Sequence, residues 1–260
     1  MQEASARPLD MSSLIILRRS GHRWPVLAAY NRDALADRSF EAPDRHWPDL
    51  PDVIGPWDQV GGGTWFAINA NGVFAALLNR TDAGLAVGAK RSRGELPLEA
   101  LSHADASAAA ESLVHIDPSA YAPFNLLIAD NTFACWLKHD GIGKKIQVSE
   151  IPEGYSFLTE HDRNDYNLAR VKTYLPRFQS ARIPDPDTRQ WRDWQVLLGQ
   201  RLHSPTDGPS GAMCLVQADG ECQTVCSQLL AIPAVDNPEP AQFLFCHGRP
   251  GEAEFTAVKI

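Results

Sequence analysis

Most signatures of a familiar chemistry are missing from these 260 residues. No window approaches eighteen consecutive apolar residues, so no membrane-spanning helix is expected. The first eleven residues, MQEASARPLDM, lack the apolar core of a secretory signal. They read as a disordered leader or a misassigned start, since Met11 is a second candidate initiator. Cysteine is scarce: five, at 135, 214, 222, 226 and 246, an odd number with no CxxC pair. A disulfide framework and a structural zinc site are therefore not indicated, and a reducing, cytoplasmic compartment is expected. Cys135, Cys214 and Cys246 sit inside apolar runs, as small buried hydrophobes do. Positive charge is also short, with 24 Lys and Arg against 32 Asp and Glu and a net charge of −8. The one basic run, Lys90-Arg91-Ser92-Arg93, has no interleaved aromatics, which argues against nucleic acid as a partner.

The catalytic motifs that can be checked by spacing are absent as well. There is no GxGxxG or GxxxxGK[ST] loop, no HExxH and no GxSxG elbow. The eight histidines are dispersed, and His161 in TEHDRND is the best single candidate, at a position that reads as surface. Nucleotide enzymes, zincins and α/β-hydrolases are set aside, and neither a metal nor a cofactor is expected.

What is present is 44% hydrophobic residue, enough to build a substantial core. The apolar runs 13–18 and 25–30 flank a turn-like SGHR and predict a hairpin. A second hairpin is predicted by TWFAIN and VFAALLN around Asn71-Gly72. The proline-rich stretch 42–56 predicts extended backbone without regular structure. Helical spacing covers 94–115, 169–180 and 188–202. Strands are expected in FNLLIAD, FACWLKHD, KIQVSEI, AMCLVQAD, QTVCSQLLAI, QFLFCHGR and EFTAVKI. Strands, helix, strands, helices, strands is not an alternating βαβ order; it predicts an α+β layered fold with mostly antiparallel sheets. No internal linker divides the chain, so 12–260 is expected to be a single domain.

Three constellations carry potential chemistry. Gly61-Gly62-Gly63-Thr64-Trp65 either brings backbone N–H groups to an anion or is a flexible lead-in to the hairpin. Asn79 and Asn164 are either turn residues or donors to an oxyanion. In VLAAYNRD an apolar run ends in Asn31-Arg32-Asp33, either a structural ion pair at a strand end or polar groups delivered to a site.

NRD at 31–33, GGTW at 62–65, LLNR at 77–80, RSRGEL at 91–96, FNLLIAD at 124–130 and LTEHDRND at 158–165 follow one another, with AMCLV and SQLLAI near the end. In this order and spacing they resemble the NRDE family, which includes the transport and Golgi organisation 2 proteins, across residues 11–260. The resemblance implies an N-terminal-nucleophile hydrolase-like fold, a four-layer αββα sandwich. In such folds the first mature residue attacks an amide carbonyl and its own α-amine, with a pKa near 8, is the base. Family members begin Met-Cys; here Met11-Ser12 aligns with that start, so Ser12 stands where the cysteine would be. A serine hydroxyl depends more on that amine, which exists only if the residues before Ser12 are absent.

The roles so implied are Ser12 as nucleophile, Asp33 as anchor of its amine and Arg32 as orienter of the nucleophile or a substrate carboxylate. Asn79 and Asn164 are implied as oxyanion donors. Asn31, Gly63, Thr64 and Trp65 are implied to contact a small-molecule substrate. The implied activity is hydrolysis of a non-peptide C–N bond. The alternative is a non-catalytic protein that binds or traffics a small ligand, haem among the candidates.

Overall fold

A computed structural model describes residues 11–80 and 91–260; the stretch 1–10 and Lys90 of the basic run lie outside the described residues. Two antiparallel sheets carry the fold. The first has the strand order β10-β1-β2-β11-β12-β13 and the second β5-β6-β7-β8-β9.

The central strands of the first sheet are β1 (Ser13–Arg18), β2 (Val26–Leu35) and β11 (Cys222–Ile232). β1 is buried at every position, because the sheet is covered on both faces. Leu14 and Ile16 join the core shared with the second sheet, whereas Ile15 and Leu17 pack beneath helices. The period of two thus divides one apolar run between two cores. Each fully buried Leu or Ile contributes ~1.5–3 kcal/mol. β10 (Gly154–Leu158), β12 (Gln242–His247) and β13 (Phe255–Val258) complete this sheet.

The second sheet consists of β5 (Phe66–Ile68), β6 (Phe74–Asn79), β7 (Phe124–Ala129), β8 (Ala134–His139) and β9 (Gln147–Glu150). Aromatic contacts join the sheets: Tyr30 and Phe243 of the first meet Phe66 of the second at ring-centroid distances of 5.6 and 5.4 Å. The Tyr30 hydroxyl donates across the interface to the Leu77 carbonyl at 2.8 Å. Helices α1 (Glu95–Leu101) and α2 (Ala106–Leu113) pack against the second sheet, and α3 (Ala169–Ser180) and α4 (Arg192–Leu198) against the first. The result is a four-layer αββα sandwich, the α+β class that the element order predicts.

Both expected hairpins form, β1 with β2 and β5 with β6, the latter turning through Gly72 at φ 81°. Other local expectations change. The proline-rich crossing is bounded by two short strands, β3 (Phe40–Asp44) and β4 (Gly55–Asp58), which pair antiparallel despite its prolines. β10, which opens on Gly154 and lies between Glu153 and Glu160, is a strand beyond those expected. AMCLVQAD forms no regular strand: its one ladder contact is an isolated bridge from Val216 to Gln223. Helix α4 covers only seven residues of the expected 188–202. Among the described residues, no helix is long and apolar enough to cross a membrane.

Candidate active site

The polar end of β2 is where the layers meet a cleft. Alternation continues past Tyr30, so Asn31 and Asp33 turn to the helix side and Arg32 turns between the sheets. On the neighbouring strand the register slips at Val225: Thr224 opposes Asp33 while Cys226 opposes Arg32. Such a bulge re-aims a side chain, and here it leaves Thr224 on the Asp33 face.

Ser12 immediately precedes β1, beside this strand end. Its Oγ accepts from Arg32 Nη1 at 3.3 Å and from the Asp33 backbone N–H at 3.4 Å. The Asp33 carboxylate is fully buried, accepting from Thr224 Oγ1 at 2.6 Å and from Arg170 Nη1 at 2.7 Å. Arg170 Nη1 also donates to the Met11 carbonyl at 2.5 Å and to Ser13 Oγ at 2.8 Å. One guanidinium therefore holds the peptide group before Ser12, the residue after it and the acid beside it. Ser12 is 1% exposed, and Met11 is packed with Leu215 and Cys222, so the hydroxyl is closed off while Met11 remains.

Arg32 connects this cluster to a cleft of about 280 Å³, whose lining includes Thr64, Trp65 and Asn79. Its guanidinium lies over the Trp65 ring at 5.1 Å, a cation–π contact. Thr64 is buried and Asn79 ends β6 at the cleft wall. Gly63 has a different task. A Cβ there would stand 2.0 Å from the Gly94 carbonyl oxygen, so its lack of a side chain lets the segment carrying Arg91 and Arg93 close onto Thr64. The glycine run does not present its amides to an anion as far as its bonds show. Gly61 N–H donates to the Asp58 carboxylate, Gly62 N–H to the Asp58 carbonyl and Thr64 N–H to the Gly94 carbonyl.

Asn31 and Asn164 lie apart from this group. Asn31 is buried on the helix side, donating to the Leu198 and Met213 carbonyls and accepting from Ser227 Oγ at 2.6 Å. It brackets α4 to the sheet. Asn164 adopts φ 57° and accepts the Phe157 N–H at 2.7 Å, stapling the turn after β10 to its strand.

Sequence reading missed Arg170, Thr224, Arg38 and Asp58. Arg170 left one trace: a cation in the first turn of α3 opposes the helix dipole, which needs a reason beyond helix formation. The other cleft partners carry no local signal. Burial alone would raise the Asp58 carboxyl, but Arg38 at 2.6 Å and the Gly61 amide outweigh it and hold the group below its ordinary range. Cys226, directly across from Arg32, is pushed up to about 12 by burial, so its thiol is not a nucleophile at neutral pH. Among the described residues, no group of three His, Cys, Asp or Glu side chains is placed to hold a metal ion.

Two antiparallel sheets between helical layers, with a polar strand end beside the residue preceding β1, define the N-terminal-nucleophile hydrolase-like class. An N-acylethanolamine-hydrolyzing acid amidase ortholog from Caenorhabditis elegans superposes with a TM-score of 0.57 at 12% identity, covering 86% of this chain and 94% of its own. A variant of conjugated bile acid hydrolase from Clostridium perfringens gives 0.54 at 12% identity, over 95% and 92%. At that identity the likeness shows the fold. No curated protein matches the chain by sequence. The family model for Transport and Golgi organisation 2 matches residues 11–179, and the chain belongs to that family.

Proposed function

We propose that this protein hydrolyses a non-peptide amide of a small molecule, with Ser12 as an N-terminal nucleophile once the residues before it are gone. The observation that carries this reading is the convergence on Ser12: Arg32 at its hydroxyl, and Asp33 and Arg170 around the peptide group that its free amine would replace. Ser12 Oγ attacks the carbonyl carbon and its proton passes to the α-amine. Asn79, across the cleft, donates to the oxygen that becomes negative. Collapse breaks the C–N bond, the leaving nitrogen takes the proton from the α-ammonium, and water then hydrolyses the Ser12 ester. Arg32 orients the hydroxyl and Asp33 fixes the amine. The relatives in fold, named as an amidase and a bile acid hydrolase, support the reaction class. Asn31 and Asn164 are left out of the proposed machinery because their side chains brace backbone elsewhere.

The test is a chain that starts at Ser12, assayed on a panel of N-acyl amides. Turnover is expected, with loss in Ser12→Ala and recovery in Ser12→Cys. No turnover of any amide, or equal turnover by Ser12→Ala, overturns the proposal. A second reading, ligand binding without chemistry, applies to a chain that keeps Met11, whose buried side chain and Arg170-bound carbonyl seal Ser12. A haem titration of that form without a saturable spectral change removes haem as its ligand.

A further inference from the structure

Thr224 touches the proposed machinery without a part in it. Its Oγ1 lies 2.6 Å from Asp33 Oδ1 and accepts the Leu215 backbone N–H at 2.8 Å. The Thr224 N–H returns the contact, donating to the Leu215 carbonyl at 2.9 Å. Thr224, Leu215 and Asp33 are all fully buried. The stretch AMCLV, which forms no regular strand, thus reaches the site through its main chain rather than a side chain.

A threonine hydroxyl has one proton to give and two lone pairs, and an ionised carboxylate can only accept. With the Leu215 amide on one lone pair, the hydroxyl proton points at Asp33. Arg170 Nη1, 2.7 Å from the other carboxylate oxygen, keeps Asp33 ionised, so the direction does not reverse. The other titratable groups around Asp33 do not compete for that proton. Arg32 is a cation, and burial pushes the Cys214 and Cys226 thiols up, which leaves them neutral. The bulge at Val225 makes the contact possible, since it sets Thr224 opposite Asp33. Each carboxylate oxygen therefore has a fixed donor from a different element, and the group cannot rotate without losing both.

We infer that Thr224 is a positioning residue: its locked hydroxyl holds the Asp33 carboxylate in place for the Ser12 amine. The role in the reaction rests on the amidohydrolase reading; the locked hydrogen bond itself does not. Without the hydroxyl, Asp33 Oδ1 draws its missing donor from the α-ammonium. That favours the charged amine and withdraws the base near pH 7.

The experiment uses the chain that starts at Ser12. Thr224→Val keeps the branched shape and removes the O–H, whereas Thr224→Ser keeps the O–H. In protein labelled with carbon-13 serine, the Ser12 resonances, assigned by their loss in Ser12→Cys, follow the amine's titration directly. The amine pKa is expected to rise by about half a unit or more in Thr224→Val and to match wild type in Thr224→Ser. Turnover of an N-acyl amide at pH 7 should fall several-fold in Thr224→Val, recover in part at higher pH, and be restored in Thr224→Ser. Should Thr224→Val fail to fold, the wild-type chain supplies the reading. Its Thr224 hydroxyl proton should exchange slowly enough to give a proton resonance coupled to the Thr224 β-proton. An unmoved amine pKa in folded Thr224→Val, an equal shift in both variants, or a wild-type hydroxyl proton exchanging too fast to observe overturns the assignment. If the amine pKa moves as expected but no chain cleaves an amide, Thr224 still positions Asp33 and the amidohydrolase reading falls.

Discussion

Arg170 and Asp33 form an ion pair with almost no access to water, their side chains 4% and 0% exposed. Breaking such a pair leaves an uncompensated buried charge, at about 3–5 kcal/mol. Arg170→Leu should lower stability by that order in a urea melt, and Arg170→Lys by less. In the proposed chemistry, Arg170 also sits beside the amine that replaces the Met11–Ser12 peptide group, because it already donates to that group's carbonyl. A neighbouring cation disfavours the charged ammonium and keeps the base neutral nearer pH 7. Removing it also frees Asp33 to favour the ammonium, so both effects raise the amine's pKa. The rising limb of the pH–rate profile should therefore move to higher pH in Arg170→Leu, by about one unit or more. An unmoved limb with merely reduced amplitude would assign Arg170 to folding alone. Asp58 gives a second pH signature. Its folded pKa lies below the ordinary 3.8, since Arg38 and the Gly61 amide outweigh the burial that would raise it. The stabilisation is therefore complete above that ordinary value and is lost as pH falls through the folded one. Asp58→Asn should melt below wild type at pH 6, and the gap should close under strong acid.

The cleft depends on how segments are pinned as much as on its own side chains. Gly63→Ala would place a methyl 2.0 Å from the Gly94 carbonyl oxygen, backbone against backbone, where no rotamer relieves the clash. A cost of about 3 kcal/mol is expected, seen as a melting temperature lowered by roughly 6–12 °C. The segment with Arg91 and Arg93 would loosen with it. Asn125 does similar work on the far side. It accepts from Arg80 and Trp136 and donates to the carbonyls of Thr159 and His161. Asn125→Ala strands the Trp136 indole N–H and the Thr159 and His161 carbonyls, while Arg80 keeps Asp162, and should cost ~3 kcal/mol or more by denaturant melts. These contacts mark the limit of what sequence could tell. The central strands were legible because the sheet is buried on both faces, so that β1, the first half of β2 and the end of β11 carry short apolar runs. Edge strand β10 was not, because Gly154 and Tyr155 are only half-buried and its pattern has no clean period. AMCLV looked like a strand because its residues are buried, but Met213 packs into the core beneath α3 and α4 and Leu215 against Met11 and Cys222, with no more than an isolated bridge to β11. Ser12, Arg32 and Asp33 could be grouped through their motif, whereas Arg170 lies 137 positions from Asp33 and only the folded α3 brings it there.

Taken as a whole, the molecule poises its candidate chemistry on where the chain begins. The sheet centre, the bulge at Val225 and α3 hold Asp33, Arg32 and Arg170 in place whether or not Met11 is attached, since these contacts come from β2, β11 and α3. What Met11 decides is the base. With Met11 attached, the nitrogen of Ser12 is a peptide amide, which has no basicity to use, and the hydroxyl stays sealed. With it removed, the same nitrogen is an amine with a pKa near 8, next to a hydroxyl already held by Arg32. A positioned general base supplies about 10²–10⁴-fold. Three chains should therefore separate cleanly in an assay of amine release: one starting at Ser12, one with a single glycine placed before Ser12, and the 260-residue chain. The first is expected to turn over an N-acyl amide, and the other two to fall by at least a hundredfold while melting within a few degrees of it. Equal rates in all three would show that the reaction does not use the Ser12 amine, leaving a base from the cleft itself as the remaining account of any activity.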